Sequence, residues 1–175
     1  MRAAQTTTDM RTNSPDTLTE QEALSRLTAL CASSEHCQQE MVEKMKRWGL
    51  AESVQSQLMS YLTEHRYVDD ERYARAFVSD KLTYNKWGPR KIEQGLWAKG
   101  IDESIRRRVL SEVEDSRYAD VLRPLLESKR RSTKASSRYE LHGKLMRFAL
   151  GRGFTADQVR ECIGDSSADD FPPYD

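Results

Sequence analysis

The apolar positions of this chain follow a pattern that returns three times, each time centred on a glycine. The glycines and their neighbours are Trp48-Gly49-Leu50, Lys99-Gly100-Ile101 and Arg152-Gly153-Phe154. Their spacing is nearly constant, at 51 and then 53 positions. A period near fifty residues with matching flanks indicates one supersecondary unit that is used three times.

The residues around each glycine have a helical spacing and a helical ending. Apolar side chains stand eight and four positions before the glycine, one position after it, and nine and ten positions after it. A spacing of four places side chains on one face of a helix. A glycine followed by an apolar residue is typical of a helix that ends in a left-handed cap. We therefore expect the three glycines to be equivalent, and a β-branched substitution to act alike at each.

The second unit predicts its helices most clearly. Asp69 is a suitable N-cap for a first helix, and Pro89 suits the first position of a second helix, where its missing N–H costs nothing. Gly100 ends this second helix, and Asp102 can cap a third. Each unit is therefore predicted to consist of three helices joined by short turns.

The predicted fold is all-α, because no alternating stretch is long enough for a strand. We expect a tandem array of three three-helix repeats that forms an elongated, curved protein, since stacked units share a long, thin core. The predicted repeats span residues 19–65, 66–115 and 116–165. The ends, residues 1–18 and 166–175, lack apolar periodicity and are expected to be disordered.

The third unit departs from the other two in length. It has eight more residues before its glycine, and we assign them to a lengthened first linker around residues 129–138. The three tryptophans, Trp48, Trp87 and Trp97, lie at predicted helix ends and turns, where packing is their expected role.

Charge is balanced overall and uneven along the chain. The chain has 28 Lys and Arg against 28 Asp and Glu. Residues 20–65 carry a net charge of −3, residues 66–110 carry +4 and residues 117–160 carry +7. Such asymmetry suits a partner with patterned charge, including nucleic acid. There is no apolar run of membrane-spanning length, no secretory signal core and no disulfide framework, so we expect a cytoplasmic protein without membrane contact.

The sequence contains no constellation for catalysis. It lacks a phosphate loop, a Cys-x-x-Cys pair, a His-x-x-x-His pair and a nucleophile elbow. Cys31, His36 and Cys37 lie close together but supply too few ligands for a zinc site. We therefore predict a protein that is not an enzyme and that holds no metal and no cofactor.

Basic side chains concentrate at places that are candidates for binding phosphate or an acidic partner. The cluster in the predicted linker of the third unit consists of Lys129, Arg130, Arg131, Lys134 and Arg138. In the second unit the candidates are Arg106, Arg107 and Arg108, predicted to span the outer face of the third helix, together with Arg90 and Lys91. A solvated loop or helix face is the alternative in each case. Loops on a rigid scaffold, however, often carry function.

Two segments of the second unit resemble the RecX family. Residues 65–74 read His-Arg-Tyr-Val-Asp-Asp-Glu-Arg-Tyr-Ala and resemble the family's y-[IV]-D-D-x-x-[YF]-A signature. Residues 87–101 contain Trp-Gly-Pro-Arg-Lys-Ile, then Leu96 and Lys-Gly-Ile, and resemble its G-P-x-x-I…L…K-G-I segment. The two segments have the order and spacing of the family. Weaker matches extend the resemblance to roughly residues 19–165.

The resemblance implies a non-enzymatic regulator of the bacterial recombinase RecA. Members bind the RecA filament on single-stranded DNA, in its helical groove, and restrain strand exchange, ATP turnover and SOS signalling. The implied partner is therefore that filament, with direct DNA contact as a further expectation, and we expect a monomer. A curved helical array suits a helical groove, since weak contacts along it add through effective concentration. The alternative function is a helical-repeat protein that binds nucleic acid directly through its Arg and Lys clusters.

Overall fold

The computed structural model describes residues 18–164. This part of the chain forms nine helices and no strand. The helices are α1 (Glu20–Ser33), α2 (Gln38–Arg47), α3 (Glu52–Glu64), α4 (Asp70–Thr83), α5 (Pro89–Ala98), α6 (Glu103–Ser111), α7 (Asp115–Ser132), α8 (Arg138–Gly151) and α9 (Ala156–Gly164). The all-α prediction is confirmed. The predictions for residues 1–17 and 165–175 lie outside the described residues. Leu18, predicted to belong to the disordered end, instead packs against the core formed by α1–α3.

The three capping glycines have the same backbone geometry. Gly49, Gly100 and Gly153 adopt φ values of +72°, +70° and +90°. In each case the N–H of the following residue donates to the carbonyl five positions earlier, at 3.1–3.2 Å. This bond is the mark of a Schellman cap, which the left-handed glycine makes possible. The three caps follow the second helix of the groups α1–α3, α4–α6 and α7–α9, so the three groups are equivalent repeats. We call them units one, two and three.

Other helix ends also form as their sequence predicts. The Asp69 carboxylate accepts the backbone N–H groups of Glu71 and Arg72, and Pro89 is the first residue of α5. Thr155 and Gln158 exchange hydrogen bonds between side chain and backbone at the start of α9, at 3.0 and 3.2 Å. These partners satisfy N–H groups that a helix start leaves open.

The eight additional residues of unit three lie in helices, so the prediction of a lengthened linker is wrong. α7 has 18 residues where α4 has 14, and α8 has 14 where α5 has 10. The linkers, residues 84–88 and 133–137, are equally long. Lys129, Arg130 and Arg131 therefore form the last turn of α7. Lys and Arg favour helix and complement the negative end of its dipole, which explains why the helix continues through them.

Between residues 18 and 164, the buried apolar side chains form two cores. One core belongs to unit one and contains Ala23, Leu27, Met41, Met45, Leu58, Leu62 and Val68. The other is shared by units two and three and includes Tyr73, Ile92, Leu96, Tyr118, Leu145 and Phe154. Cys37 comes from unit one but packs in this second core. Units two and three are therefore joined through apolar packing.

The two junctions between units have the same arrangement. At each one, the capping turn of the later unit lies on the start of the second helix of the earlier unit. The Cys37 thiol donates to the Lys99 carbonyl at 3.5 Å, and at the equivalent position the Gly88 N–H donates to the Arg152 carbonyl at 2.8 Å. The repeat therefore extends to the contacts between units.

One of the three tryptophans does not pack as predicted. Trp48 and Trp87 are partly buried against the two cores, which agrees with the prediction. Trp97 is 67% exposed, because Leu96 beside it takes the buried position on α5. Consecutive residues point about 100° apart around a helix, so only one of the two can face the core.

Candidate binding surface

The basic residues of unit three gather where α7 ends and α8 begins. We call Lys129, Arg130, Arg131, Lys134 and Arg138 the α7–α8 cluster. Burial lowers the pKa of His142, and the positive charges of Arg138 and Arg130 lower it further. Arg130 belongs to α7 and Arg138 to α8, so two helices contribute cations to the surroundings of His142. Five cations between residues 129 and 138 favour an anionic partner.

Cluster residues already form ion pairs and hydrogen bonds with other groups of the protein. The Arg131 guanidinium lies 3.7 Å from the Glu127 carboxylate, and the Lys144 Nζ donates to the Lys134 carbonyl at 2.7 Å. Lys144 and Ser136 lower the pKa of the Glu140 carboxyl to about 2. Exposed ion pairs of this kind contribute at most about 1 kcal/mol, so a binding partner can compete with them.

A second feature crosses the junction between units two and three. Three aromatic rings, Phe77, Trp87 and Phe148, each lie about 5 Å from cationic groups, and we call these rings and cations the cation–aromatic seam. The distances from the cationic group to the ring centroid are Lys81 to Phe77 (5.1 Å), Lys81 to Trp87 (5.2 Å), Lys91 to Trp87 (4.9 Å), Lys129 to Phe148 (5.4 Å) and Arg152 to Phe148 (5.2 Å). At these distances the cation is attracted to the face of the ring. Lys91 and Lys129, predicted as separate candidates, both belong to this seam.

The seam is held in place by the junction beneath it. The Trp87 backbone N–H donates to the Lys81 carbonyl within unit two at 3.0 Å, and the Arg152 guanidinium donates across the junction to the Asn85 carbonyl at 3.2 Å. A side chain at Gly95 would come within 2.8 Å of the Phe77 ring, so this glycine makes room for the ring. Arg152 therefore links the part of the seam on unit two with the part on unit three.

The arginines of α6 do not all face outward, so that prediction is wrong for one of the three. Arg106 is half-buried, and its guanidinium donates to the Ile101 carbonyl at 2.5 Å. Arg107 pairs with Glu103 on its own helix. Arg108 pairs with Glu71 of α4, which also pairs with Arg75. Of the three, Arg108 alone joins α6 to α4, while Arg106 and Arg107 have partners at the start of α6.

The predicted candidates therefore separate into groups. The α7–α8 cluster and Lys91 form part of one basic, aromatic-bearing region, whereas the α6 arginines are tied to unit two. Arg90 has an exposed side chain, and its backbone N–H donates to the Gly153 carbonyl at 3.0 Å. Sequence reasoning missed Lys81 and Arg152. The net charge of +7 in residues 117–160 could have indicated Arg152, but nothing local placed Lys81 beside Trp87.

No three His, Cys, Asp or Glu side chains within residues 18–164 converge as a metal site would require. None of the helices in this part of the chain is long and apolar enough to cross a membrane.

The nine helices of residues 18–164 and their repeated caps define the class of the molecule, an all-α helical-repeat protein. Comparison with known families adds its identity. Residues 69–110 match the second three-helix domain of RecX, and residues 116–163 match the third three-helix domain of RecX. The two matches together cover just over half of the chain, which belongs to the RecX family, a family of regulatory proteins.

Individual relatives agree with this assignment. The regulatory protein RecX of Bacillus cytotoxicus is 29% identical over 125 residues, which are 71% of this chain and 46% of that protein. The regulatory protein RecX of Vibrio campbellii is 29% identical over 140 residues, which are 80% of this chain and 88% of that protein. The chain thus spans about half the length of the Bacillus relative and most of the Vibrio one.

A solved structure shares the fold. The crystal structure of RecX from Lactobacillus salivarius superposes with a TM-score of 0.78 at 20% identity, covering 83% of this chain and 95% of that one. A second crystal structure of a regulatory protein RecX gives a TM-score of 0.75 at 23% identity. At this identity the likeness establishes the fold, and the helical-repeat prediction is confirmed.

Proposed function

We propose that this chain is a non-enzymatic regulator that binds RecA nucleoprotein filaments on single-stranded DNA. By binding, it restrains strand exchange, ATP turnover and SOS co-protease activity. It acts in the cytoplasm, where the filament forms, and it acts as a monomer. Membership of the RecX family supports the regulatory part of this proposal.

The observation that carries the proposal is the basic, aromatic-bearing region of units two and three. The α7–α8 cluster supplies cations from two helices, and the cation–aromatic seam extends them across the junction to Lys91 and Lys81. A nucleoprotein filament presents both phosphates and acidic protein faces, and arginine binds both. Because the units repeat along the chain, the cations are spread over a length that can contact successive protomers together.

Charge reversal in the α7–α8 cluster tests the proposal. The variant carries Arg130→Glu, Arg131→Glu and Arg138→Glu, and the assay is inhibition of RecA ATP turnover on single-stranded DNA. We expect inhibition to require a higher protein concentration. Helical circular dichroism should be unchanged, because Arg131 and Arg138 are exposed, Arg130 is only partly buried, and none of the three belongs to the apolar core.

The matched control reverses three exposed cations of the acidic first unit, Arg26, Lys46 and Arg47, so that the net charge changes equally. It should inhibit like the parent. A cluster variant that inhibits as well as the parent removes the α7–α8 cluster from the binding surface and directs attention to Arg90, Lys91 and the α6 arginines.

Direct binding to nucleic acid remains the second candidate function, because rings flanked by cations also suit stacked bases and phosphates. The two functions differ in their response to salt. Binding that depends on phosphates alone weakens steeply as salt rises. If the parent never inhibits RecA but binds bare DNA with such a salt dependence, the second function replaces the first.

A further inference from the structure

The two junctions between units differ in how much apolar surface they bury. Units two and three share one apolar core, whereas every described side chain in the core of unit one lies between residues 18 and 68. Within residues 18–164, Cys37 is the one buried apolar side chain of unit one that packs in the shared core. Because burial of apolar surface is the main stabilising term in packing, unit one is held to unit two far less firmly than unit three is.

The backbone contacts at the two junctions differ in the same sense. At the second junction, a Cβ added to Gly88 would collide with the Phe154 backbone nitrogen, and one added to Gly153 would stand 2.5 Å from the Lys91 backbone nitrogen. At the first junction, a Cβ added to Gly100 would meet only the side chain of Gln39. Backbone thus lies on backbone at the second junction, while the first has a side chain that can move.

One carboxylate stands at the centre of the first junction. The Lys99 Nζ donates to the Glu40 Oε1 at 2.8 Å, and the Tyr73 hydroxyl donates to the same oxygen at 3.3 Å. The His36 Nδ1, from unit one itself, lies 2.9 Å from the Glu40 Oε2. Glu40 of α2 therefore holds two groups of unit two, one from α4 and one from the end of α5.

The other side-chain contacts at this junction are also polar. The Arg72 guanidinium donates to the Glu35 carboxylate at 2.6 Å, and their side chains are 42% and 35% exposed. The Asp70 carboxylate accepts the backbone N–H of Gln38 at 2.8 Å and its side-chain amide at 3.1 Å. Water and salt screen exposed ion pairs, so contacts of this kind exchange readily for hydration.

The chain passes from unit one to unit two within two residues. The Val68 N–H donates to the Leu62 carbonyl at 3.1 Å, and the Val68 side chain packs in the core of unit one. Asp69, the next residue, is already the N-cap of α4. The backbone dihedrals at Val68 and Asp69 therefore connect two separately packed bodies, and a hinge needs only a few such residues.

We propose that unit one turns as a rigid body on units two and three, about a hinge at Val68 and Asp69, and that the Glu40 carboxylate is the latch of the closed arrangement. The Lys99 and Glu40 side chains are 42% and 22% exposed, so water can solvate both charges when the latch opens. Units two and three stay together during this motion, because they share a core.

Residual dipolar couplings test whether the units tumble as one body. The sample is the isotope-labelled full chain, weakly aligned in a stretched, uncharged polyacrylamide gel. At low salt we expect one alignment tensor to fit the amides of all three units. At about 1 M salt the latch is screened, so unit one should lose part of its alignment while units two and three keep a common tensor. A single tensor for all three units at both salt concentrations would overturn the proposal.

Variants on both sides of the latch identify the groups involved. Glu40→Gln and Lys99→Met should each reduce the alignment of unit one at low salt. The double variant should lose no more than either single variant, because both act on one contact. The control is Glu52→Gln, an equal charge change at an exposed position at the start of α3, which should keep the common tensor.

The outcome of these measurements is independent of the proposed function, since RecA is absent. Unchanged amide shifts at Leu27 and Leu62, both in the core of unit one, report that this unit remains folded in each variant. A common tensor retained in both Glu40→Gln and Lys99→Met would contradict the latch. So would an equal loss of alignment in Glu52→Gln, or a separation of unit three from unit two.

Discussion

The three capping glycines share a backbone conformation but have different surroundings, which leads to a graded prediction. Alanine at any of these positions must adopt a left-handed φ, which costs about 1–2 kcal/mol. A Cβ added at Gly49 meets no atom within 4 Å, so Gly49→Ala should destabilise the protein by this amount alone. A Cβ at Gly100 overlaps only the end of the Gln39 side chain, which can rotate away, so the effect should be similar.

Gly153 lies against backbone and should be far more sensitive. A Cβ there would stand 2.5 Å from the Lys91 backbone nitrogen, so the two units must separate. That movement weakens the bonds from Gly88 N–H to the Arg152 carbonyl and from Arg90 N–H to the Gly153 carbonyl, at 2.8 and 3.0 Å. With about 1 kcal/mol for each bond added to the backbone strain, Gly153→Ala should cost about 3–4 kcal/mol.

Urea denaturation followed by circular dichroism measures these differences. The control is Gly143→Ala, inside α8, where an added Cβ meets nothing and alanine favours the helix by about 0.5–1 kcal/mol. We expect stability to fall in the order Gly143→Ala, Gly49→Ala, Gly153→Ala. If Gly49→Ala and Gly153→Ala cost the same, backbone strain dominates and the reasoning from the junction is refuted.

Two further predictions concern single polar groups. Tyr118→Phe should leave the melting temperature unchanged or raise it, because the Tyr118 hydroxyl has no hydrogen-bond partner among the described residues. Tyr73→Phe should cost about 1 kcal/mol of stability, because it removes the bond to Glu40. Thermal melts in which Tyr118→Phe is the more harmful change would contradict this. Asp69→Ala should cost about 1 kcal/mol at neutral pH. The backbone N–H of Arg72 lowers the pKa of Asp69 in the folded protein, so its stabilisation is present above the unfolded pKa near 4 and is lost as the pH falls. Denaturation between pH 7 and pH 2 should therefore show the difference from the parent shrinking, and a constant difference would oppose the assignment.

The repeat could be predicted from the sequence because each unit marks its own ends. Glycine at the caps, Asp69 at a helix start and Pro89 at another are local signals with local causes. The length difference of unit three could not be assigned in the same way. α7 continues past Pro124, an exposed position that sequence rules treat as a break, and through a run of Lys and Arg that reads equally well as a loop.

The candidate surface could be predicted only in part, because charge is visible in a sequence and partners are not. The basic residues of unit three were evident from composition. That Arg108 pairs with Glu71, 37 positions earlier, follows from the packing of α6 on α4. The Tyr118 hydroxyl lacks the acceptor that Tyr73 finds in Glu40. This difference becomes visible only when the two junctions are compared in three dimensions, because Lys91 stands where unit one has Glu40.

The most direct test of the central claim is capture of the purified chain on beads that carry RecA filaments assembled on single-stranded DNA. Beads with the same DNA alone, and beads with RecA but no DNA, are the references. We predict retention on the filament beads well above both references at physiological salt, with the triple cluster variant retained less. Equal retention on bare DNA, falling steeply as salt rises, or no retention on the filament, would contradict the account.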